Sequence, residues 1–64
     1  MRNNDRYYDS NGYEIRLNDY VKVMTNIGIH KGYIRAFHND RAKVGCLIGD
    51  LWVDLKFVML IISR

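Results

Sequence analysis

Apolar and polar residues alternate with a period of two through most of this chain, which predicts strands rather than helices. The pattern is clearest at Tyr20–Met24, where Val21 and Val23 alternate with Lys22 and Met24. From about His30 to Phe37, Ile34 and Ala36 are expected on one face and Tyr33, Arg35 and Phe37 on the other. Ala42 to Ile48 repeats the pattern with Val44, Cys46 and Ile48 on one side. Leu51, Val53 and Leu55 then alternate with Trp52 and Asp54. Lys56-Phe57 reads as a short helical turn, and Val58 to Ile62 as a closing strand.

Proline is absent, so Gly, Asn and Asp punctuate these runs. Asp9-Ser10-Asn11-Gly12 is a turn signal between Tyr7-Tyr8 and Tyr13-Glu14-Ile15, and predicts an amino-terminal hairpin. Asn26 to Gly28, His38 to Arg41 and Gly49-Asp50 read as the remaining turns. Residues 51–62 admit a helix, since they lack Pro and Gly and Asp50 would cap one. Val53, Phe57, Val58, Ile61 and Ile62 favour strand there, and strand is the expectation. Five or six short strands spaced by about ten residues predict an all-β fold, a small five- to six-stranded barrel or sandwich. Closure is expected because so small a sheet cannot leave long apolar edges exposed.

Sixty-four residues allow one domain, 1–64, with 1–17 as a hairpin extension. Its core is small, so stability is expected to need barrel closure or self-association. The single cysteine, Cys46, excludes an internal disulfide and fits a reducing, cytoplasmic setting. The amino terminus has no apolar leader, and the most apolar stretch, Leu51 to Ile62, is broken by Asp54 and Lys56, so no membrane partner is expected. A conventional enzyme with a substrate domain has no room, and no catalytic activity or cofactor is expected.

The net charge of +3 is concentrated. Residues 1–27 and 48–64 are each neutral, whereas residues 28–47 carry Lys31, Arg35, Arg41 and Lys43 against Asp40 alone. His30 and His38 lie in the same stretch. That asymmetry favours a polyanionic partner, although a slight basic excess is also common in small proteins.

Asn18-Asp19-Tyr20-Val21-Lys22-Val23, followed after a gap by Gly28-Ile29-His30-Lys31-Gly32-Tyr33-Ile34-Arg35-Ala36-Phe37, resembles the KOW motif of SH3-like barrels, found in ribosomal proteins and bacterial transcription elongation factors. Asp19, Val21, Val23, Lys31, Gly32 and Ile34 fill the motif's places, and Asn18 stands where the family often has glycine. The resemblance spans less than half of the chain. It implies a five-stranded SH3-like barrel that binds nucleic acid or protein without catalysis. Gly32 is expected where a loop turns into a strand and freedom at φ is useful.

The candidate binding set is Lys31, Tyr33, Arg35, Phe37, Arg41, Lys43 and Trp52. Aromatic rings stack on bases while Lys and Arg neutralise phosphates. Against this, Tyr33 and Phe37 would equally serve to cover a barrel end or pack under the hairpin, and Trp52 to fill a small cluster with Tyr7, Tyr8 or Tyr13. His30, His38, Cys46 and Asp54 recur every eight residues, but zinc sites use tighter spacings, so no metal is expected and Cys46 reads as a core residue. Neither Ser10 nor Ser63 lies beside a histidine, and Gly28-x-x-x-Gly32 lacks the features of a phosphate-binding loop.

Three functions follow. The first is nucleic-acid binding, RNA or DNA, through the basic and aromatic strand face. The second is a protein-binding module of phage or mobile-element type that modulates a host or defence complex. The third is a homodimer through Val58, Leu60 and Ile62, whose strand is apolar on both faces.

Overall fold

The computed structural model describes residues 6–61 and is all-β. A short hairpin of β1 (Tyr7–Tyr8) and β2 (Glu14–Ile15) precedes five longer-range strands: β3 (Tyr20–Thr25), β4 (Gly28–His38), β5 (Arg41–Cys46), β6 (Gly49–Asp54) and β7 (Val58–Leu60). A single 3-10 turn, Leu55–Phe57, separates β6 from β7, so 51–61 is strand, turn and strand and not an α-helix. The five strands form one antiparallel sheet in the order β6-β5-β4-β3-β7. β6 and β7 are its two edges and no ladder joins them, so the sheet is open where closure into a barrel was expected.

The alternating apolar residues make the core. Val21, Val23, Ile34, Ala42, Val44, Val53 and Val58 are buried, and Ile15 of β2 joins them. Burying each Val or Ile side chain contributes about 1.5–3 kcal/mol. The hairpin thus supplies core as well as cover.

Two sequence expectations shift by small but consequential steps. The β5–β6 turn falls on Leu47-Ile48, not on Gly49-Asp50. Gly49 takes φ +116°, which follows a tight turn cheaply only in glycine, and it closes the hairpin opposite Cys46. Ile48 therefore leaves the Val44–Cys46 face and is exposed. In β4, Ile34 lies opposite Val44 but Ala36 lies opposite Lys43, which makes Arg35 the extra residue of a bulge. Side chains beyond the bulge exchange faces.

Gly32 sits inside β4 rather than at its start, and its role is close approach rather than φ. A Cβ there would run into the Gly45 carbonyl of β5.

The edge of β7 is covered by the hairpin turn. The Ser10 N–H donates to the Val58 carbonyl (2.8 Å), and the Leu60 N–H donates to Asp9 Oδ2 (2.7 Å). Asp9 Oδ1 accepts the N–H groups of Asn11 and Tyr13, and Asp9 itself is buried. The strand offered for self-association is therefore occupied: Val58 is in the core, Leu60 packs against it, and its edge groups are bonded within the chain. Ile62, the third residue of that expectation, lies outside the described residues.

Candidate functional site

The sheet has a core face and an outer face, and cross-strand register assigns each side chain to one of them. Tyr20 of β3 lies opposite Tyr33 of β4, which lies opposite Gly45 of β5 and, beyond it, Asp50 of β6. Lys22 lies opposite Lys31 on one side and Met59 on the other. Lys43 lies between Ala36 and Trp52, and Arg41 between His38 and Asp54. All of these positions share the outer face.

Its centre is aromatic. The Tyr20 and Tyr33 rings are 4.9 Å apart and tilted by 48°, and remain 38% and 52% exposed. Trp52 is 49% exposed on the same face, with the His38 ring edge-on at 6.4 Å. It does not join Tyr7, Tyr8 or Tyr13 in a cluster, because its strand parity points it outward beside Lys43.

Basic groups surround these rings. Arg35 lies over Gly45: its Nε would be 3.2 Å from a Cβ there, and Asp50 Oδ1 3.3 Å. The absent side chain leaves room for the guanidinium between Tyr33 and β6. Lys43 pairs with Asp50 (3.6 Å) and Arg41 with Asp54 (3.1 Å), both near the surface, where such pairs contribute little. Those two cations are therefore partly neutralised. Lys22, Lys31 and Arg35 make no ion pair among the described residues. Directly opposed like charges such as Lys22 and Lys31 destabilise a sheet by roughly 0.2–1 kcal/mol.

Phe37 does not belong to this face. Beyond the Arg35 bulge it turns inward, lies opposite Ala42, packs against the core and stacks on Tyr7 with centroids 4.0 Å apart and planes at 2°. Ala36 moves outward by the same step. Lys31, Tyr33, Arg35, Lys43 and Trp52 thus share the outer face, with Arg41 at the rim. Tyr20 and Lys22 join them unforeseen, although their alternation with Val21 and Val23 was the signal that could have placed them there.

The four residues spaced by eight divide between the faces: the bulge turns His38 away from His30, and the tight Leu47-Ile48 turn puts Asp54 opposite in face to Cys46. His30 and Cys46 lie on the core side and His38 and Asp54 on the outer side, and among the described residues no three His, Cys, Asp or Glu gather. The Cys46 thiol is pushed above its ordinary pKa, first by burial and then by the charge of Asp50. That keeps it protonated and a poor nucleophile.

At one end of the aromatic centre, β4 runs on beyond the last residue of β5. A cleft of about 660 Å³ opens there, lined by Tyr20, Tyr33, Lys31, His30, Cys46 and Leu47. The β5–β6 turn projects at this end with Leu47 fully exposed, whereas the β3–β4 tip at Thr25-Asn26 lines a second hollow with Arg41, Trp52 and Asp54. Among the described residues no helix is long and apolar enough to cross a membrane.

Comparison with protein-family models, with curated proteins and with solved structures finds no match for this chain.

Proposed function

We propose that this chain is a cytoplasmic, non-catalytic nucleic-acid-binding domain of the SH3-like, KOW type, and that the outer face of β3–β6 is its binding surface. One observation carries the reading: Lys22 and Lys31 face each other without an acidic partner among the described residues, beside two half-exposed tyrosines. A like-charge pair held at some cost to the fold is relieved when a polyanion lies across it. Two features support the family assignment. The antiparallel run β3–β6 with β7 returning beside β3 has the strand content of a five-stranded SH3-like barrel. Asn18 adopts φ +74°, a conformation suited to the glycine that the motif often has there.

Titration of labelled RNA and DNA, single- and double-stranded, at low and moderate salt tests this reading. Binding at low salt that weakens steeply as salt rises is expected. A flat response at low salt would end it.

A protein-binding reading, in which a phage or mobile-element module modulates a host or defence complex, draws on the aliphatic turns. Ile29 and Leu47 line one cleft and are exposed, and Ile27 and Ile48 are exposed on the adjoining turns. Affinity capture from bacterial lysate with and without nuclease separates the two readings. Nuclease-resistant capture that is lost in Leu47→Asp favours a protein partner; capture abolished by nuclease favours nucleic acid.

A further inference from the structure

We infer that the outer face takes a single-stranded rather than a duplex polynucleotide, with its bases stacked on Tyr33 and Trp52 and its backbone over Arg35. This rests on the nucleic-acid reading and names the substrate class within it.

The geometry argues for splayed bases. Tyr33 on β4 and Trp52 on β6 stand two strands apart and two positions apart along β5, a separation of roughly 12 Å. That is the reach of about two to four nucleotides of a single strand. Between them the sheet is low, because Gly45 contributes no side chain, and Arg35 lies in the gap with its guanidinium near the surface. Beyond Tyr33 the track continues past the Tyr20 ring into the cleft beside Lys31 and Leu47. Rings separated by cations along one face suit successive unpaired bases, since every base has a face to stack and each intervening phosphate meets a positive group.

A duplex finds little to dock on. Among the described residues there is no α-helix to enter a major groove. Of the sheet's three hairpin tips that could enter instead, Asn26-Ile27 and Leu47-Ile48 carry only one side chain able to bond a base edge, and Asn39-Asp40 brings a carboxylate towards the phosphates. Stacking on Tyr33 and Trp52 needs base faces, which a duplex keeps covered.

The experiment uses the full chain, whose only tryptophan, Trp52, reports locally by its fluorescence. Labelled single strands of about 12 nucleotides, oligo(dT) and oligo(U), are compared with a duplex of the same length. At least one single strand should bind roughly ten-fold tighter than the duplex and quench Trp52. Tyr33→Ala should weaken that binding by roughly ten-fold, whereas Tyr33→Phe, which keeps the ring, should bind like the parent. Circular dichroism of each variant shows that the fold is retained. A duplex bound as tightly as either single strand, or Tyr33→Ala binding unchanged, would overturn this inference while leaving nucleic-acid binding in place. Failure of every probe at low salt would overturn both.

Discussion

The Asp9 carboxylate accepts the backbone N–H of Leu60 at 2.7 Å although fifty-one residues separate the two. The same carboxylate holds the Asn11 and Tyr13 amides, so one buried side chain shapes the first turn and fastens it to the last strand. Asp9→Asn keeps the size but turns one acceptor into a donor facing an N–H group. A loss of about 1–3 kcal/mol is expected. For a domain of this size that is a fall in melting temperature of several degrees per kcal/mol, measurable by thermal unfolding.

That contact also protects an edge. An open strand edge invites pairing with a second chain, and here the Asp9-Ser10 turn uses the groups that β7 would offer. The parent chain should sediment as a monomer at micromolar concentration, while Asp9→Ala should show concentration-dependent association. An identical monomer for both would mean that the latch has no part in solubility.

Phe37 and Tyr33 should respond oppositely to truncation. Phe37 packs on the core and Tyr7, so Phe37→Ala should cost about 3 kcal/mol of stability, the low end of the range for a core ring because this one is partly buried. A double-mutant cycle with Tyr7→Ala should return a coupling of about 0.5–1.5 kcal/mol. Nucleic-acid affinity of folded Phe37→Ala should match the parent.

Two neighbouring glycines should differ sharply. Gly32→Ala forces a Cβ against the Gly45 carbonyl, which belongs to a paired strand and cannot retreat alone. It should destabilise by about 1–3 kcal/mol or more and separate β4 from β5 locally, detectable as lost amide protection. Gly45→Ala meets mainly the Arg35 and Asp50 side chains, which can swing away, so its cost should be smaller.

The Cys46 thiol sets a pH dependence. Its folded pKa is raised by burial first and by Asp50 second. The fold therefore favours the protonated thiol. This contribution to stability is complete below the ordinary thiol range and is lost as pH rises through that range towards the folded value. Alkylation of the native chain at mildly alkaline pH should be slower than that of the unfolded chain, and Asp50→Asn should speed it. Equal rates for native and unfolded chains would refute the assignment.

Most of the sheet was legible in the alternation itself. Val21, Val23, Val44 and Val53 mark core faces by period alone, and the Asp9–Gly12 turn marks the hairpin. The Arg35 bulge was not legible, because a period-two reading assumes an unbroken ladder and no glycine signals the break. One inserted residue was enough to move Phe37 from the candidate face to the core. The Leu47-Ile48 turn was hidden by its apolar composition, which mimics strand. The Asp9–Leu60 contact joins the two ends of the described chain, and local pattern carries no trace of it. Of the candidate site, Lys31, Tyr33, Arg35, Lys43 and Trp52 followed from charge and parity. Tyr20 and Lys22 were passed over because their segment is neutral as a whole.

The central claim is that the outer face is built for a polyanion, and the opposed lysines test it most directly. Lys31→Gln removes one charge and leaves a polar side chain one atom shorter. The measurement is nucleic-acid affinity across a salt series, for parent and variant, alongside thermal unfolding of each. The variant should be more stable by roughly 0.2–1 kcal/mol, bind more weakly at low salt, and show a salt slope smaller by about one. Unchanged affinity and slope in a more stable variant would contradict the claim, leaving the pair a cost to the fold without a binding role.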